Sequence, residues 1–212
     1  MSEVESGVGE DRFEEVTLDT LRGGVACRYY RAERPRGAAV FVGGVGGGWD
    51  TPARGLYPRL CGELPAEGIA CLRVRFRFPT VLEEAVHDVV SALAFLRDER
   101  AGPLALVGHS FGGAVMVRAA AAAEGVRTVV TLATQAYGAE RVGELGPNRS
   151  ILLLHGTADT ILPVAASEHL YRLARDPKEL AVFPGAGHSL DAAAGEVHRR
   201  VRGWIVRELP DA

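Results

Sequence analysis

The stretch Leu104-Ala105-Leu106-Val107-Gly108-His109-Ser110-Phe111-Gly112-Gly113 decides the reading of this chain. Four apolar residues in succession, 104–107, suit a strand buried on both faces. The run 111–123 is apolar and dense in alanine, the residue of highest helix propensity, and predicts a helix. Between the two stands G-x-S-x-G. A serine hydroxyl attacks only if it projects from the fold and a base takes its proton. A tight strand-to-helix turn supplies the projection, with Gly108 and Gly112 where side chains would meet neighbouring backbone. The start of the following helix adds the positive end of its dipole. In a chain with 26 glycines an ordinary glycine-rich turn is the competing reading. The position at a strand-to-helix junction favours Ser110 as a nucleophile.

Outward from this point, strand-like and helix-like segments alternate. Toward the N-terminus the spacing predicts strands over 15–21, 25–31, 38–42 and 69–76, with a hairpin turn at Gly23-Gly24. Helices are expected over 53–67, ended by Gly68, and over 82–99, with Val86, Val89, Val90, Leu93 and Leu96 on the inner face. Toward the C-terminus come strands at 128–133, 151–154 and 179–183, and helices at 164–174 and 193–208. In the last helix Val197, Val201, Trp204 and Ile205 form the core-facing stripe. Parallel strands need crossover connections, usually helices. The alternation therefore predicts one α/β domain over 15–212, a mostly parallel sheet with helices on both faces, preceded by an acidic tail over 1–14.

A nucleophilic serine needs a base and a carboxylate to orient it, and on such a sheet they follow in the order serine, acid, histidine. Asp159 sits in the loop leaving the apolar run 151–154, at a strand end where site residues of open parallel sheets cluster. Asp176 precedes Pro177 and reads as a turn residue. Asp191 reads as a cap on the last helix. His188 lies in Phe183-Pro184-Gly185-Ala186-Gly187-His188-Ser189, a glycine-rich loop able to carry an imidazole over the sheet. His155 precedes Asp159 and breaks the order. His169 falls within a helix. His198 lies among Arg199, Arg200 and Arg202 and is expected on a solvated face. His109, beside the nucleophile, reads as structural.

The oxyanion of an acyl-transfer intermediate needs backbone N–H donors already in place. Phe111, the residue after the nucleophile, is one candidate. The other is Val45, with Gly44 next, in the loop Gly43-Gly44-Val45-Gly46-Gly47-Gly48-Trp49-Asp50. A phosphate-binding reading of that loop fails because it lacks the lysine and hydroxyl of a P-loop. A dinucleotide reading fails too, since the next strand ends in Arg73, Arg75 and Arg77 rather than an acid. Trp49, Gln135 and Tyr137 are candidate pocket residues, with plain loop packing as their alternative.

Composition narrows the function classes. A formal net charge of -3 and scattered arginines give no nucleic-acid footprint. Lys178 is the single lysine, an arginine bias that genome composition explains more simply than ion-pair networks do. Cys27, Cys61 and Cys71 have neither disulfide nor zinc spacing and are expected reduced and buried. No run approaches the ~20 apolar residues that span a bilayer. The first residues lack the basic and apolar regions of a signal peptide. The expectation is a cytoplasmic protein without cofactor or metal, with no nucleic-acid or membrane partner, as monomer or homodimer.

Three segments are similar to those of a known family: Leu106-Val107-Gly108-His109-Ser110-Phe111-Gly112-Gly113, His155-Gly156-Thr157-Ala158-Asp159-Thr160-Ile161-Leu162-Pro163 and Gly185-Ala186-Gly187-His188. The chain resembles the α/β-hydrolases, and within them the small dienelactone-hydrolase-like group, over about 38–204. The resemblance implies a sheet of about eight strands and ester-type hydrolysis. Dienelactone hydrolases proper carry cysteine where this chain has Ser110, and many relatives open the oxyanion loop with His-Gly where it has Gly43-Gly44. The short interval 134–150 predicts no separate lid domain. The expected activity is cleavage of a small carboxylic ester or thioester through acyl-Ser110, with His188 as base and Asp159 orienting it. The alternatives are a non-catalytic binding protein on the same fold, and acyl transfer or perhydrolysis by the same residues.

Overall fold

The computed structural model describes residues 13–209. The expected acidic tail lies outside the described residues up to position 12, and Glu14 already opens the first strand. Eight strands form one sheet: β1 (Glu14–Leu18), β2 (Val25–Tyr30), β3 (Gly37–Val42), β4 (Ile69–Val74), β5 (Leu104–His109), β6 (Val126–Leu132), β7 (Ser150–Gly156) and β8 (Lys178–Phe183). Their spatial order is β1-β2-β4-β3-β5-β6-β7-β8. β1 and β2 run antiparallel as a hairpin, and β3 to β8 are parallel. Of the six parallel strands, β3, β4, β5 and β7 are buried along their length and β6 at all but Arg127, which is why they read as mostly apolar runs.

Helices cover both faces, as the alternation predicts. On one side lie α2 (Leu82–Asp98), α3 (Phe111–Ala122) and α4 (Ala165–Leu173), over a core that includes Leu72, Val89, Leu106, Val115, Leu153 and Leu170. On the other lie α1 (Leu56–Glu63) and α5 (Ala194–Glu208), over Phe41, Leu60, Val107, Leu154, Val201 and Ile205. The indole N–H of Trp204 donates to Thr128 Oγ1 at 2.7 Å, so even the polar atom of this core residue is satisfied.

Chain order and strand order together locate the site. From β3 the chain passes to β4 on one side, and from β4 it returns to β5 on the other. Crossovers leave in opposite directions there, and the loops after β3 and β5 border a crevice at the carboxyl ends of the strands. Those loops are the glycine run from Gly43 and the turn at Ser110.

Several expectations are corrected. The helix expected over 53–67 starts only at Leu56, because Ala53, Arg54 and Gly55 all have positive φ. It passes into a 3₁₀ turn at Leu64–Glu67, where Pro65 has no N–H to continue the α-helical ladder. Val90, expected inward on α2, is 36% exposed; the buried position beside it is Asp88. Asp88 accepts from the backbone N–H of Arg77 at 2.9 Å and from its Nε at 2.6 Å. This pairing ties the segment after β4 to α2. His198 is buried rather than solvated, with Nε2 3.0 Å from Glu63 Oε2 but not aligned as a hydrogen bond. Asp191 accepts from the Arg54 N–H at 2.9 Å, and makes no side-chain cap on the helix that follows.

Removing one member of a buried ion pair strands the other. Asp88→Ala is predicted to cost about 3–5 kcal/mol, read as a lowered urea midpoint at unchanged slope. Val90→Ser, on the outward face, stays within about 0.5 kcal/mol of the parent.

Candidate active site

Ser110 stands between β5 and α3 with φ 54 and ψ -121, a backbone state that an L-residue adopts only when its surroundings force it. The neighbouring glycines show the forcing. A Cβ on Gly108 would lie 2.3 Å from the Gly112 carbonyl oxygen, and one on Gly112 would lie 2.2 Å from the Gly43 carbonyl oxygen. Only glycine fits at either place. The turn is tied down from β6 as well: the Ser110 N–H donates to the Leu132 carbonyl at 2.9 Å, and Thr134 Oγ1 donates to the Ser110 carbonyl at 3.2 Å.

The structure brings Ser110, His188 and Asp159 together across three loops. Ser110 Oγ lies 3.0 Å from His188 Nε2, and His188 Nδ1 lies 2.7 Å from Asp159 Oδ2. With Nδ1–H donating to the carboxylate, Nε2 is left to accept the serine hydroxyl. The Asp159 side chain is fully buried and the His188 ring is 21% exposed, so a reacting group can reach the imidazole but not the acid. Asp159 Oδ1 accepts the N–H groups of Ile161 at 2.8 Å and Leu162 at 2.9 Å. Burial pushes this carboxyl up, but the Leu162 N–H, the His188 ring and the Ile161 N–H outweigh it and hold it below the usual carboxylate value.

Gly44 presses against the nucleophile: a Cβ there would lie 3.3 Å from Ser110 Cβ. Its N–H is 3.4 Å from Asp50 Oδ2 and donates to it, while the Val45 N–H makes no hydrogen bond among the described residues. Phe111 is the first residue of α3, where an N–H has no carbonyl one turn back. Val45 and Phe111 are therefore among the N–H donors left without a partner near Ser110 among the described residues. The far end of the loop is anchored at Trp49, whose carbonyl accepts from Arg73 Nη2 at 2.6 Å. The Trp49 ring lies 4.3 Å from the Arg28 guanidinium and 5.6 Å from that of Arg73. Gln135 is spent inside its own loop, donating to the Tyr137 carbonyl at 2.7 Å, and the Tyr137 side chain stands 78% exposed.

Two histidines that sequence reasoning set aside lie within this constellation. His109 Nε2 lies 3.0 Å from the His188 carbonyl oxygen, and its ring centre lies 4.8 Å from that of His188. Burial pushes the His109 imidazole down, only partly opposed by the His188 carbonyl, and so favours a neutral ring that donates through Nε2. His155 contacts the Asp159 carboxylate itself. No sequence signal separates either from a core histidine; the elbow position of His109 and the i, i+4 spacing of His155 to Asp159 are the nearest cues. His169 is exposed on α4. Among the described residues no group of three or more His, Cys, Asp or Glu is placed to hold a metal, and no helix is long and apolar enough to cross a membrane. A groove of about 710 Å³ opens at the opposite, amino-terminal end of the strands, between α2 and α3. It contains none of the residues around Ser110.

Solved structures place this architecture. The esterase domain of a Rhodothermus marinus protein superposes with a TM-score of 0.77 over 94% of this chain and 100% of that one, at 23% identity. A dienelactone hydrolase from Anabaena variabilis gives 0.80 over 92% and 97%, at 19% identity. The chain has the α/β-hydrolase fold. Est1E from Butyrivibrio proteoclasticus shares the fold too, with a TM-score of 0.77 over 92% and 98% at 16% identity. In this dienelactone-hydrolase-like arrangement no separate lid is present among the described residues. By sequence, the chain is similar to the uncharacterized protein YfhR of Salmonella typhimurium, 36% identical over 77 residues that cover 36% of this chain and 26% of that protein. The YfhR of Escherichia coli K12 is 31% identical over 142 residues, covering 54% and 50%. The chain thus matches a quarter to a half of the length of these relatives. No family model matches it.

His109 and Asp159 give a signed pH prediction. A depressed histidine in the folded state means that the unfolded chain binds more protons as pH falls below about 6.5. The depressed Asp159 acts in the same direction lower down, its contribution present above the ordinary carboxylate range and lost as pH falls through it. Stability measured by urea titration is predicted to fall as pH drops from about 7 to 5, and His109→Gln to flatten the upper part of that fall.

Proposed function

We propose that this chain is a serine hydrolase that cleaves a small, neutral carboxylic ester or thioester through an acyl-Ser110 intermediate. The observation that carries the reading is the continuous contact from Ser110 Oγ through His188 to the buried Asp159, at 3.0 and 2.7 Å. A binding protein on this fold has no use for all three groups in register on a strained turn. Structural likeness to esterases, at under 25% identity, supports the fold on which this chemistry is commonly built.

The steps follow from the geometry. Ser110 Oγ attacks the carbonyl carbon while His188 Nε2 takes its proton. Asp159, ionised and desolvated, holds the ring in the Nδ1–H tautomer and stabilises the imidazolium. The carbonyl oxygen becomes an oxyanion and accepts the N–H groups of Val45 and Phe111. As the tetrahedral intermediate collapses, His188 returns the proton to the leaving alcohol or thiol. Water then attacks the acyl group with His188 as base, Ser110 recovers its proton, and the carboxylic acid departs.

The rim of the site suggests the substrate. Val45 is 54% exposed, Phe78 50%, Tyr137 78% and Ile161 69%. They stand on the loops after β3, β4, β6 and β7, on either side of the nucleophile at the end of β5. Arg77, the cation nearest Phe78 in the chain, is neutralised by Asp88 and Glu84. These exposed apolar side chains fit acyl and alcohol groups without charge, held at a shallow surface. The three free, buried cysteines fit a reducing cytoplasmic setting.

Wild type and Ser110→Ala are compared on p-nitrophenyl esters from acetyl to octanoyl. Turnover by wild type is expected, with loss of about 10⁴-fold or more in kcat for Ser110→Ala. Equal activity in the two proteins rules out the serine mechanism. Acyl transfer by the same residues is separated from hydrolysis by adding an alcohol and measuring the ratio of new ester to free acid.

A further inference from the structure

The loop after β3 has little to hold its own shape. Of residues 43–48 only Val45 is not glycine, and Gly47 and Gly48 take φ of 67 and 61. Glycine loses more conformational freedom on ordering than any other residue. The hydrogen bonds inside the loop are long: the Gly47 N–H to the Gly44 carbonyl at 3.3 Å, and the Gly44 N–H to Asp50 Oδ2 at 3.4 Å. At the near end, close packing of the Gly43 carbonyl against Gly112 of α3 fixes the chain. At the far end the short contact is from Arg73 Nη2 to the Trp49 carbonyl, at 2.6 Å.

Arg73 is an exception on its strand. β4 is buried at every residue, and Arg73 itself is 5% exposed. Parallel strands buried on both faces are normally apolar throughout, and buried charges are normally paired. Arg73 has no carboxylate within ion-pair distance among the described residues. Asp50, the residue after Trp49, turns its carboxylate to the N–H groups of Gly44 and Thr51 instead. What the buried guanidinium reaches is Trp49: its carbonyl, and its ring centre at 5.6 Å. Arg73 pairs in register with Phe41 on β3, two residues before the loop begins. One side chain thus ties the far end of the loop back to the strands from which the loop departs. Arg28, paired with Arg73 from β2, packs on the same ring at 4.3 Å.

We propose that Arg73 is a positioning residue for the reaction: by holding the Trp49 carbonyl it fixes the loop so that the Val45 N–H stands where the oxyanion forms. The proposal rests on the reading of Val45 as an oxyanion donor given above. A donor aimed at the oxyanion stabilises the transition state more than the bound ester. Arg73 therefore acts on kcat and leaves KM nearly unchanged.

The test compares wild type with Arg73→Met, Arg73→Gln and Arg73→Lys. Removing a buried charge that has no ionic partner leaves no carboxylate stranded, so the neutral variants are expected to fold. The first readout is kcat and KM on p-nitrophenyl acetate. The second is inhibition by an alkyl trifluoromethyl ketone: Ser110 Oγ adds to its carbonyl carbon, the serine proton passes to His188, and the carbonyl oxygen becomes an oxyanion. The third is acrylamide quenching of tryptophan fluorescence. Trp204 is 5% exposed and shielded, so the quenching reports on Trp49, the other tryptophan of the chain. Arg73→Met and Arg73→Gln, which cannot hold the carbonyl, are expected to lower kcat about tenfold, short of the roughly 10²-fold that follows outright loss of an oxyanion donor. KM stays unchanged, the ketone binds more weakly by the same factor, and Trp49 becomes more quenchable. Arg73→Lys, which keeps the charge and most of the reach, recovers part of each. Unchanged kcat and ketone affinity in a folded neutral variant overturn the proposal, and so does a loss confined to KM or to the urea midpoint. Arg73→Gln decides the matter if Arg73→Met does not fold. A wild type that neither turns over esters nor reacts with a fluorophosphonate contradicts the hydrolase reading instead. The quenching, read without substrate, then still decides whether Arg73 holds the loop.

Discussion

The constraint on which the site depends is the backbone of Ser110. Its φ of 54 is tolerable only because Gly108 and Gly112 allow β5 and α3 to meet at near-contact distance. That compression does three things together. It lifts the hydroxyl above the end of the sheet, it points the first N–H groups of α3 toward the same space, and it brings the Gly43 carbonyl against α3 so that the glycine loop from Gly43 closes beside Ser110. Strain of this size, of order 1–3 kcal/mol, persists because the hydrogen bonds to Leu132 and Thr134 over-determine the turn.

The rest of the site is an electrostatic arrangement laid over that turn. Asp159 is kept ionised out of water by donors from its own loop, and its charge is directed to one ring nitrogen of His188. His109, neutral and buried, lies next to His188 and contacts its carbonyl without adding a competing charge. The sheet supplies the precision. Asp159 stands on the loop that leaves β7 and His188 on the loop that leaves β8, each loop anchored at a buried strand end.

Much of this was legible in the chain because buried parallel strands are written as continuous apolar runs. The parallel strands fell where 38–42, 104–107 and 151–154 placed them, within a few residues. That Ser110, Asp159 and His188 meet was legible because each follows such a run and the order fits one fold. Interactions between residues distant in sequence were not legible. Val90 and Asp88 differ in position by half a helix turn, and only the partner Arg77, across the loop after β4, explains why the carboxylate and not the valine is buried. His198 was read from its arginine neighbours in sequence, whereas Glu63 on α1 is what it meets in space. His155 was set aside by chain order, a rule for the base that says nothing about what else the acid contacts. The start of α1 was misplaced because left-handed backbone at Ala53 and Arg54 has no compositional mark.

The most direct test of the account is chemical. Native protein is treated with an alkyl fluorophosphonate, and the mass increase is measured on intact protein and then located by peptide mapping. The account predicts one adduct per chain, on Ser110, formed slowly when His188 is replaced by alanine. An adduct on another serine, or none on a folded protein, would contradict the assignment of Ser110 as an activated nucleophile.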